Sequence, residues 1–244
     1  KVPTTYWCCV NCPGNPGAWK RHSVYHKGVK ARRKANEDGG VSQQRQREVA
    51  EEVARRAAQS GDEYTQLLAD GLRYQSQEDG RRAARAYREA IALRPDHPNA
   101  YHNLGAALAN SGHSVEAAQR YLEAKERLLV GSENWAEVTA LAFSLLAQEV
   151  CADVAKPEWW NDEGLKVLSA RVVRALPNEA VTNQMRAEVL CGQLGVWEAG
   201  PRSTAELKEA ATHYDRAAAL CPAPAAKAQF AGLADSCRSW SEVV

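Results

Sequence analysis

The stretch NAYHNLGAALANSGHSVEAAQRYLEAKERL, Asn99 to Leu128, decides the fold. Small residues stand among large ones at regular intervals, and the preceding residues have the same intervals. A shift of 34 residues relates the two sets of positions, which are Gly71, Tyr74, Ala83, Tyr87, Ala90 and Pro95, and then Gly105, Leu108, Ala117, Tyr121, Ala124 and Leu129. A self-match with this period predicts repeated pairs of antiparallel helices.

The small residues explain how the helices would pack. Two helices approach closely where one presents Gly or Ala and the other fills the space with a large side chain. We therefore expect Gly105 to leave room for Tyr121 in the second helix. We expect Ala117 and Ala124 to do the same for the first helix of the next pair. Asp70 takes the place of a large apolar residue in the earlier pair, so its first helix should be less tightly packed.

The pattern returns with more variation toward the carboxyl end. Second-helix positions recur in residues 206–222 as Ala210, Tyr214, Ala217 and Pro222. Their first helix is expected within residues 178–194, and the ten residues GVWEAGPRST between the two predict a surface loop. The remaining helices are predicted at residues 134–150, 162–177 and 225–240, the last as a terminal cap with Lys227, Asp235 and Arg238 on its solvated face.

Two tryptophans, Trp159 and Trp160, lie in the segment that joins the helices of residues 134–150 and 162–177. One interpretation is that they pack over this irregular connection. The other is that they form an exposed anchor for a partner, because Trp is enriched at the energetic centres of interfaces.

These spacings resemble the tetratricopeptide repeat (TPR). The motif Y-x-x-L-G-x-x-L is present, followed by the small and aromatic positions of the second helix; its residues are Tyr101, Leu104, Gly105, Leu108, Ala117, Tyr121 and Ala124. The resemblance is specific over residues 66–129 and extends more weakly over residues 64–240. It implies an all-α fold, an α-solenoid of about four TPR-like helix pairs with a C-terminal capping helix. The first helix of each pair would line a concave groove that receives a peptide or helix of a partner protein.

The resemblance also indicates which residues would contact that partner. The inward positions of the second repeat are Asn99, His102, Asn103, Ala106 and Asn110. Asn103 occupies the place where many family members keep an Asn that hydrogen-bonds a ligand main chain. The chaperone-binding members use Lys, Asn and Arg to clamp a terminal carboxylate, but this chain has other residues at those places, Leu68, Leu72, Ala136 and Ala140.

Residues 1–40 are predicted to be largely irregular and lie outside the repeats. Cys9, Cys12, His22 and His26 have the order C-x2-C-x9-H-x3-H, two thiols and two imidazoles that could hold zinc tetrahedrally. Cys8 could replace Cys9 equally well. The other interpretation is a loosely packed tail with free cysteines.

Residues 6–26 also resemble the second half of a MYND-type zinc finger. The match rests on Tyr6, Cys8, Cys12, Trp19, His22 and His26. Trp7 interrupts the usual Tyr-Cys pair, and His26 stands where the family has Cys. A basic run follows, since Lys20 to Lys34 contains seven Lys or Arg and no acid. It is interpreted as a solvated segment more readily than as a nucleic-acid patch.

Residues 41–62 are predicted to form a charged helix with an apolar stripe at Val49, Val53 and Ala57. This helix either packs on the first repeat or links it to residues 1–40, and residues 63–244 form the repeat domain. The longest apolar run is too short for a membrane span. The odd number of cysteines, 7, favours a reducing intracellular compartment, cytoplasm or nucleus, over a secreted disulfide framework.

Together these patterns predict a non-enzymatic scaffold for protein or peptide partners. No phosphate loop, dinucleotide motif or H-E-x-x-H motif occurs in the sequence. Two alternatives stay open. The chain could be the regulatory or substrate-recruiting region of a larger enzyme, or an adaptor that binds nucleic acid through its zinc-binding and basic segment. Because 31 basic residues nearly balance 30 acidic ones, the overall charge does not favour a polyanionic partner.

Overall fold

The computed structural model describes residues 40–244, and these residues form helices joined by loops, without a strand. The α-helices are α1 (Gly40–Ser60), α2 (Glu63–Ser76), α3 (Gly80–Leu93), α4 (Pro98–Asn110), α5 (Ser114–Arg127), α6 (Glu133–Leu146), α7 (Asp162–Ala175), α8 (Ala180–Cys191), α9 (Thr204–Leu220) and α10 (Pro224–Ser241). A 3-10 helix, Glu149–Cys151, follows α6.

Polar residues fix where several of these helices begin. The side chain of Asp62 accepts a hydrogen bond from the backbone of Thr65 at the start of α2. Ser203 and Glu206 form a reciprocal capping box at the start of α9. Each bond satisfies a backbone N–H group that the first helical turn leaves unpaired, which stabilises the helix by about 1 kcal/mol.

The helices divide into two compact units. The N-terminal unit contains α1 to α4 and ends at Gly112, and the C-terminal unit contains α5 to α10 and begins at His113. Within each unit, helices that are neighbours in sequence pack side by side, as in an α-solenoid. The predicted all-α fold of TPR-like helix pairs is confirmed for the described residues.

Small residues make the close contacts that the repeat predicts. In the N-terminal unit α2 crosses α3 so closely that a Cβ atom built on Gly71 would lie 2.3 Å from Cε1 of Tyr87. The Tyr87 side chain is fully buried, and its hydroxyl donates a hydrogen bond to Gln75 Oε1 at 2.6 Å. The alanines at the repeated second-helix positions are all 0% exposed, namely Ala83, Ala90, Ala117, Ala124, Ala210 and Ala217.

The first helix of the first repeat is less buried than its counterpart in the second, as expected. Three residues of α2 are buried, compared with seven of α4. Asp70, at the position where the motif has a large apolar residue, forms a surface ion pair with Arg73 at 2.6 Å. The polar residue therefore weakens the packing of α2 locally.

Helix α1 lies against α2, but the apolar stripe predicted for it is only partly correct. Ala50 and Ala57 are buried, whereas Val49 and Val53 are 48% and 36% exposed. Among the α1 side chains that the structure describes, the buried ones are therefore alanines. Small side chains allow the close approach of two helices that the larger valines would prevent.

The C-terminal unit contains the predicted helices and an ordered loop. One of its core clusters is lined by side chains of α8, α9 and α10, including Tyr214 and Phe230 with ring centroids 6.4 Å apart. The last helix, α10, exposes Lys227, Asp235 and Arg238, as predicted for a terminal cap. Residues 192–203 form the predicted loop between α8 and α9.

Candidate protein-binding surface

One side of α4 carries the polar residues that the sequence predicts for partner binding. Asn99 and Asn110 are exposed, while His102 and Asn103 are partly buried. Their spacing puts them on one side of the helix, because side chains three or four residues apart are neighbours. The other side of α4 is buried and contains Tyr101, Leu104 and Leu108.

Asn103 differs from its neighbours in its hydrogen bonding. Within the part of the chain that the structure describes, its side chain makes no hydrogen bond, whereas His102 and Asn110 already interact with other residues. A side-chain amide offers two donor hydrogens and an acceptor oxygen. Asn103 can therefore bond both the N–H and the C=O of a peptide main chain without breaking an existing contact.

Helix α2 adds an apolar part to the same surface. Leu68 and Leu72 precede His102 and Ala106 by 34 residues, so they hold the equivalent positions of the preceding repeat. The two helices contact each other. Leu68 packs on the buried cluster around Tyr64, and Leu72 is 37% exposed. We name these residues together the α2–α4 surface, comprising Leu68, Leu72, Asn99, His102, Asn103, Ala106 and Asn110.

The α2–α4 surface contains no Asp, Glu, Lys or Arg. Asp62, the residue that precedes α2, is held by Arg94 Nη2 at 2.7 Å and accepts a hydrogen bond from the Thr65 hydroxyl. These contacts lower the pKa of Asp62, the Thr65 bond most, so its carboxylate is satisfied within the chain.

Two of the positions that the chaperone-binding members use for the clamp lie in the core of the C-terminal unit. Ala136 and Ala140 are fully buried and belong to a cluster with apolar residues of α7 and α8. A terminal carboxylate requires exposed cationic or amide groups. Neither position can supply one.

The paired tryptophans form part of a packed aromatic cluster. The Phe143 and Trp160 ring centroids lie 5.5 Å apart, and Trp160 is 5.8 Å from Trp159 and 6.2 Å from Trp197. Trp160 Nε1 donates a hydrogen bond to the carbonyl oxygen of Val196 at 3.1 Å. All three tryptophans are partly buried, which favours the interpretation that they cover the connection and hold the loop before α9.

An ion-pair network fixes the same loop. Arg202 donates to both carboxylate oxygens of Asp162, at 2.6 and 2.9 Å, and their side chains are only 7% and 16% exposed. Lys166 contacts Asp162 at 3.2 Å and Glu206 at 2.9 Å. The hydrogen bonds from Arg202 hold the pKa of Asp162 well below its usual range, and the pKa of Glu206 falls to about 2 because hydrogen bonds to its carboxylate outweigh burial.

Sequence reasoning missed two buried titratable groups in the C-terminal unit. Burial raises the pKa of Glu188, on α8, to about 7, although Gln184 Nε2 donates a hydrogen bond to its Oε1 at 2.8 Å. Burial also lowers the pKa of His213, whose Nδ1 lies 2.9 Å from Asn183 Oδ1. Since Asn183 Oδ1 can only accept, His213 Nδ1 carries the hydrogen in this contact. No local pattern marks either residue, because their burial depends on packing between helices.

The predicted zinc ligands Cys9, Cys12, His22 and His26 lie outside the described residues, as does the basic run. Zinc binding there stays a prediction. In residues 40–244 no group of three or more His, Cys, Asp or Glu side chains is arranged to hold a metal ion. None of the helices described is long and apolar enough to cross a membrane.

Comparison with protein families matches the TPR repeat to residues 71–112. This range begins within α2, contains α3 and α4, and includes every residue of the α2–α4 surface except Leu68. The match confirms the TPR resemblance for this part of the chain. It does not extend to the MYND-type resemblance of residues 6–26, which stays a prediction. The curated proteins compared with this chain contain no match.

Proposed function

We propose that this chain is a non-enzymatic scaffold that binds a peptide or helix of a partner protein on its α2–α4 surface. TPR repeats generally mediate protein–protein interactions and are typically not catalytic. The observation that carries the proposal is the partly buried amide of Asn103, which has no partner within the described residues and lies within the matched repeat.

The surface has two parts with different tasks. Asn103 would hold the partner's main chain, with Asn99 beside it one turn toward the start of α4. Leu72 and Ala106 would receive an apolar side chain, because exposed apolar area gains free energy when it is covered. Main-chain hydrogen bonds give affinity that depends little on sequence, and the apolar contact adds selectivity.

The first test is affinity capture with the immobilised full chain, followed by quantitative binding of the captured partner to variants. Asn103→Ala should weaken binding about 5- to 150-fold, because it removes hydrogen bonds worth about 1–3 kcal/mol in total. Leu72→Glu should weaken it further by introducing a charge where the surface has none. Both substitutions lie on exposed or partly buried positions, so they should leave the helical content unchanged.

Asn178→Ala is the matched control, since Asn178 is an exposed asparagine between α7 and α8. It should bind as the unmodified chain does. Equal affinities of the Asn103→Ala, Leu72→Glu and control variants would contradict the proposed site. A partner that is retained by residues 1–40 alone would favour the alternative in which that segment performs the binding.

A further inference from the structure

The exposed side of α3 is strongly basic, and the proposed function does not use it. This helix contains four arginines and one glutamate, which give it a net charge of +3. Arg81, Arg85 and Arg88 are exposed, and their spacing of four and three residues places them along one side of the helix. The side that packs in the unit instead carries Ala83 and Tyr87. We name the three exposed residues the α3 arginine stripe.

The packing of the repeat does not account for these arginines. At the equivalent positions of the next repeat, 34 residues further on, α5 has Val115, Gln119 and Leu122. Helix α5 contains three basic and three acidic residues, so its net charge is zero. Both helices nevertheless bury the small and aromatic residues of the repeat. The basic outer side is therefore a property of α3 that the fold does not require.

The ion pairs of the α3 arginine stripe lie at the surface and leave it accessible. Arg85 contacts Glu89 at 2.8 Å, and the two side chains are 82% and 49% exposed. Arg88 also interacts with another residue, whereas Arg81 makes no ion pair within residues 40–244. Because exposed ion pairs contribute little to stability, a partner can replace them readily. Glu89 is the one acidic residue of α3, so it cannot neutralise all three arginines.

We propose that the α3 arginine stripe is a second docking site, which binds an acidic segment of a partner protein. The planar guanidinium of arginine pairs with a carboxylate through two parallel hydrogen bonds. A helix rises 1.5 Å per residue, so the stripe is about 10 Å long. A helical segment with carboxylates four and three residues apart has the same spacing and can pair with every arginine of the stripe. The site is separate from the α2–α4 surface, to which α3 contributes no residue.

Two observations favour a protein segment over a nucleic acid. The TPR match includes the whole of α3, and TPR repeats generally mediate protein–protein interactions. Residues 40–112 contain ten arginines and ten acidic residues, so the unit as a whole does not attract a long polyanion. The excess positive charge is confined to one short helix side. It therefore matches a few carboxylates better than an extended phosphate backbone.

The test measures binding of a probe peptide to the full chain by fluorescence anisotropy. The probe is an alanine-based helical peptide with glutamates alternately four and three residues apart, and its control peptide has glutamines at the same places. At low salt the glutamate peptide should bind about 10-fold more tightly or better. The difference should shrink as the salt concentration rises, because salt screens exposed charges. Equal affinity for the two peptides at low salt would overturn the proposal.

A stripe variant tests the position of the site. It carries Arg81→Gln, Arg85→Gln and Arg88→Gln, and glutamine is a good helix former, so circular dichroism should show unchanged helical content. This variant should bind the glutamate peptide no more tightly than the glutamine peptide. The comparison of the two peptides on the unmodified chain needs no substitution, so it stays decisive if the variant is unstable.

The matched control variant carries Arg45→Gln, Arg47→Gln and Arg55→Gln, at exposed positions of α1 in the same unit. It loses the same charge and should keep the preference for the glutamate peptide. Asn103→Ala should keep it too, which separates this site from the α2–α4 surface. An equal loss in the stripe and control variants would overturn the proposal. A single-stranded oligonucleotide of equal charge that binds the stripe more tightly than the glutamate peptide would overturn the choice of a protein segment.

Discussion

Substitution of Gly71 by alanine should destabilise the N-terminal unit, although alanine is the better helix former. The added Cβ would lie 2.3, 2.5 and 2.8 Å from three atoms of the Tyr87 ring. Carbon atoms normally approach to about 3.5–4.0 Å, so the ring or the helix must move by roughly 1 Å. The ring has little freedom, because it is fully buried and its hydroxyl is bonded to Gln75.

The magnitude follows from two opposing effects. Overfilling a well-packed core costs about 1–3 kcal/mol, and displacing the Tyr87 hydroxyl from Gln75 would cost about 1 kcal/mol more. Replacing glycine by alanine within a helix stabilises the helix by about 1 kcal/mol, which opposes these losses. We therefore expect a net loss of about 1–3 kcal/mol. In a unit of this size each kcal/mol lowers the melting temperature by about 4–8 °C.

Gly232→Ala provides the matched control, because Gly232 lies within α10 and a Cβ there would meet nothing within 4 Å. It should stabilise its helix by up to about 1 kcal/mol. Thermal unfolding by circular dichroism measures both variants, and amide exchange of α2 and α3 assigns the effect of Gly71→Ala. Adding Tyr87→Leu to Gly71→Ala should relieve part of the loss. The packing explanation is wrong if Gly71→Ala stabilises the protein as Gly232→Ala does.

Two further predictions concern pH. Asp162 and Glu206 have lowered pKa values, so each stabilises the fold while it is ionised. The contribution of Glu206 is complete above about pH 4.5 and is lost as the pH falls through about 2, and that of Asp162 is also lost in acid. Arg202→Met should cost about 3 kcal/mol at pH 7 and flatten this acid dependence in urea unfolding followed by tryptophan fluorescence. Glu188 has a raised pKa, so stability is lost as the pH rises from 4.5 through about 7. Glu188→Gln should therefore be more stable than the unmodified protein at pH 8, by at most about 3 kcal/mol, and should show no such gain at pH 4. Glu198→Gln changes an exposed residue and should leave the stability unchanged at both pH values.

The sequence predicts those features that depend on local spacing. Ala83 and Ala90 are buried because close helix contact requires small residues at fixed places, and this requirement repeats with the period of the helix pairs. The exposed side of α4 was predictable for the same reason, since helical periodicity alone separates Asn99 and Asn103 from Leu104. These inferences need no knowledge of the path of the chain.

The buried face of α1 shows where such reasoning fails. Hydrophobicity ranks Val49 and Val53 above Ala50, but the distance between α1 and α2 favours alanine at the contact. That distance depends on the side chains of both helices. The apolar stripe of a single helix therefore does not determine the distance between the two helices.

Contacts across long loops also could not be predicted from the sequence. Arg202 and Asp162 are 40 residues apart, and their pairing depends on the course of residues 192–203. At the start of this loop Gly192 has a φ of +68°, and a Cβ there would lie 2.7 Å from Nε of Arg202. No local motif marks this pair.

The central claim is that the α2–α4 surface receives the partner, and a hydrogen-exchange footprint of the complex tests it most directly. With the captured partner bound to the full chain, amide exchange should slow mainly in residues 63–76 and 98–110. The Asn103→Ala variant should show less of this protection. The partner concentration for this comparison is one that saturates the unmodified chain but not the variant. Protection confined to residues 1–39 or to the C-terminal unit, with no change in α2 and α4, would contradict the claim.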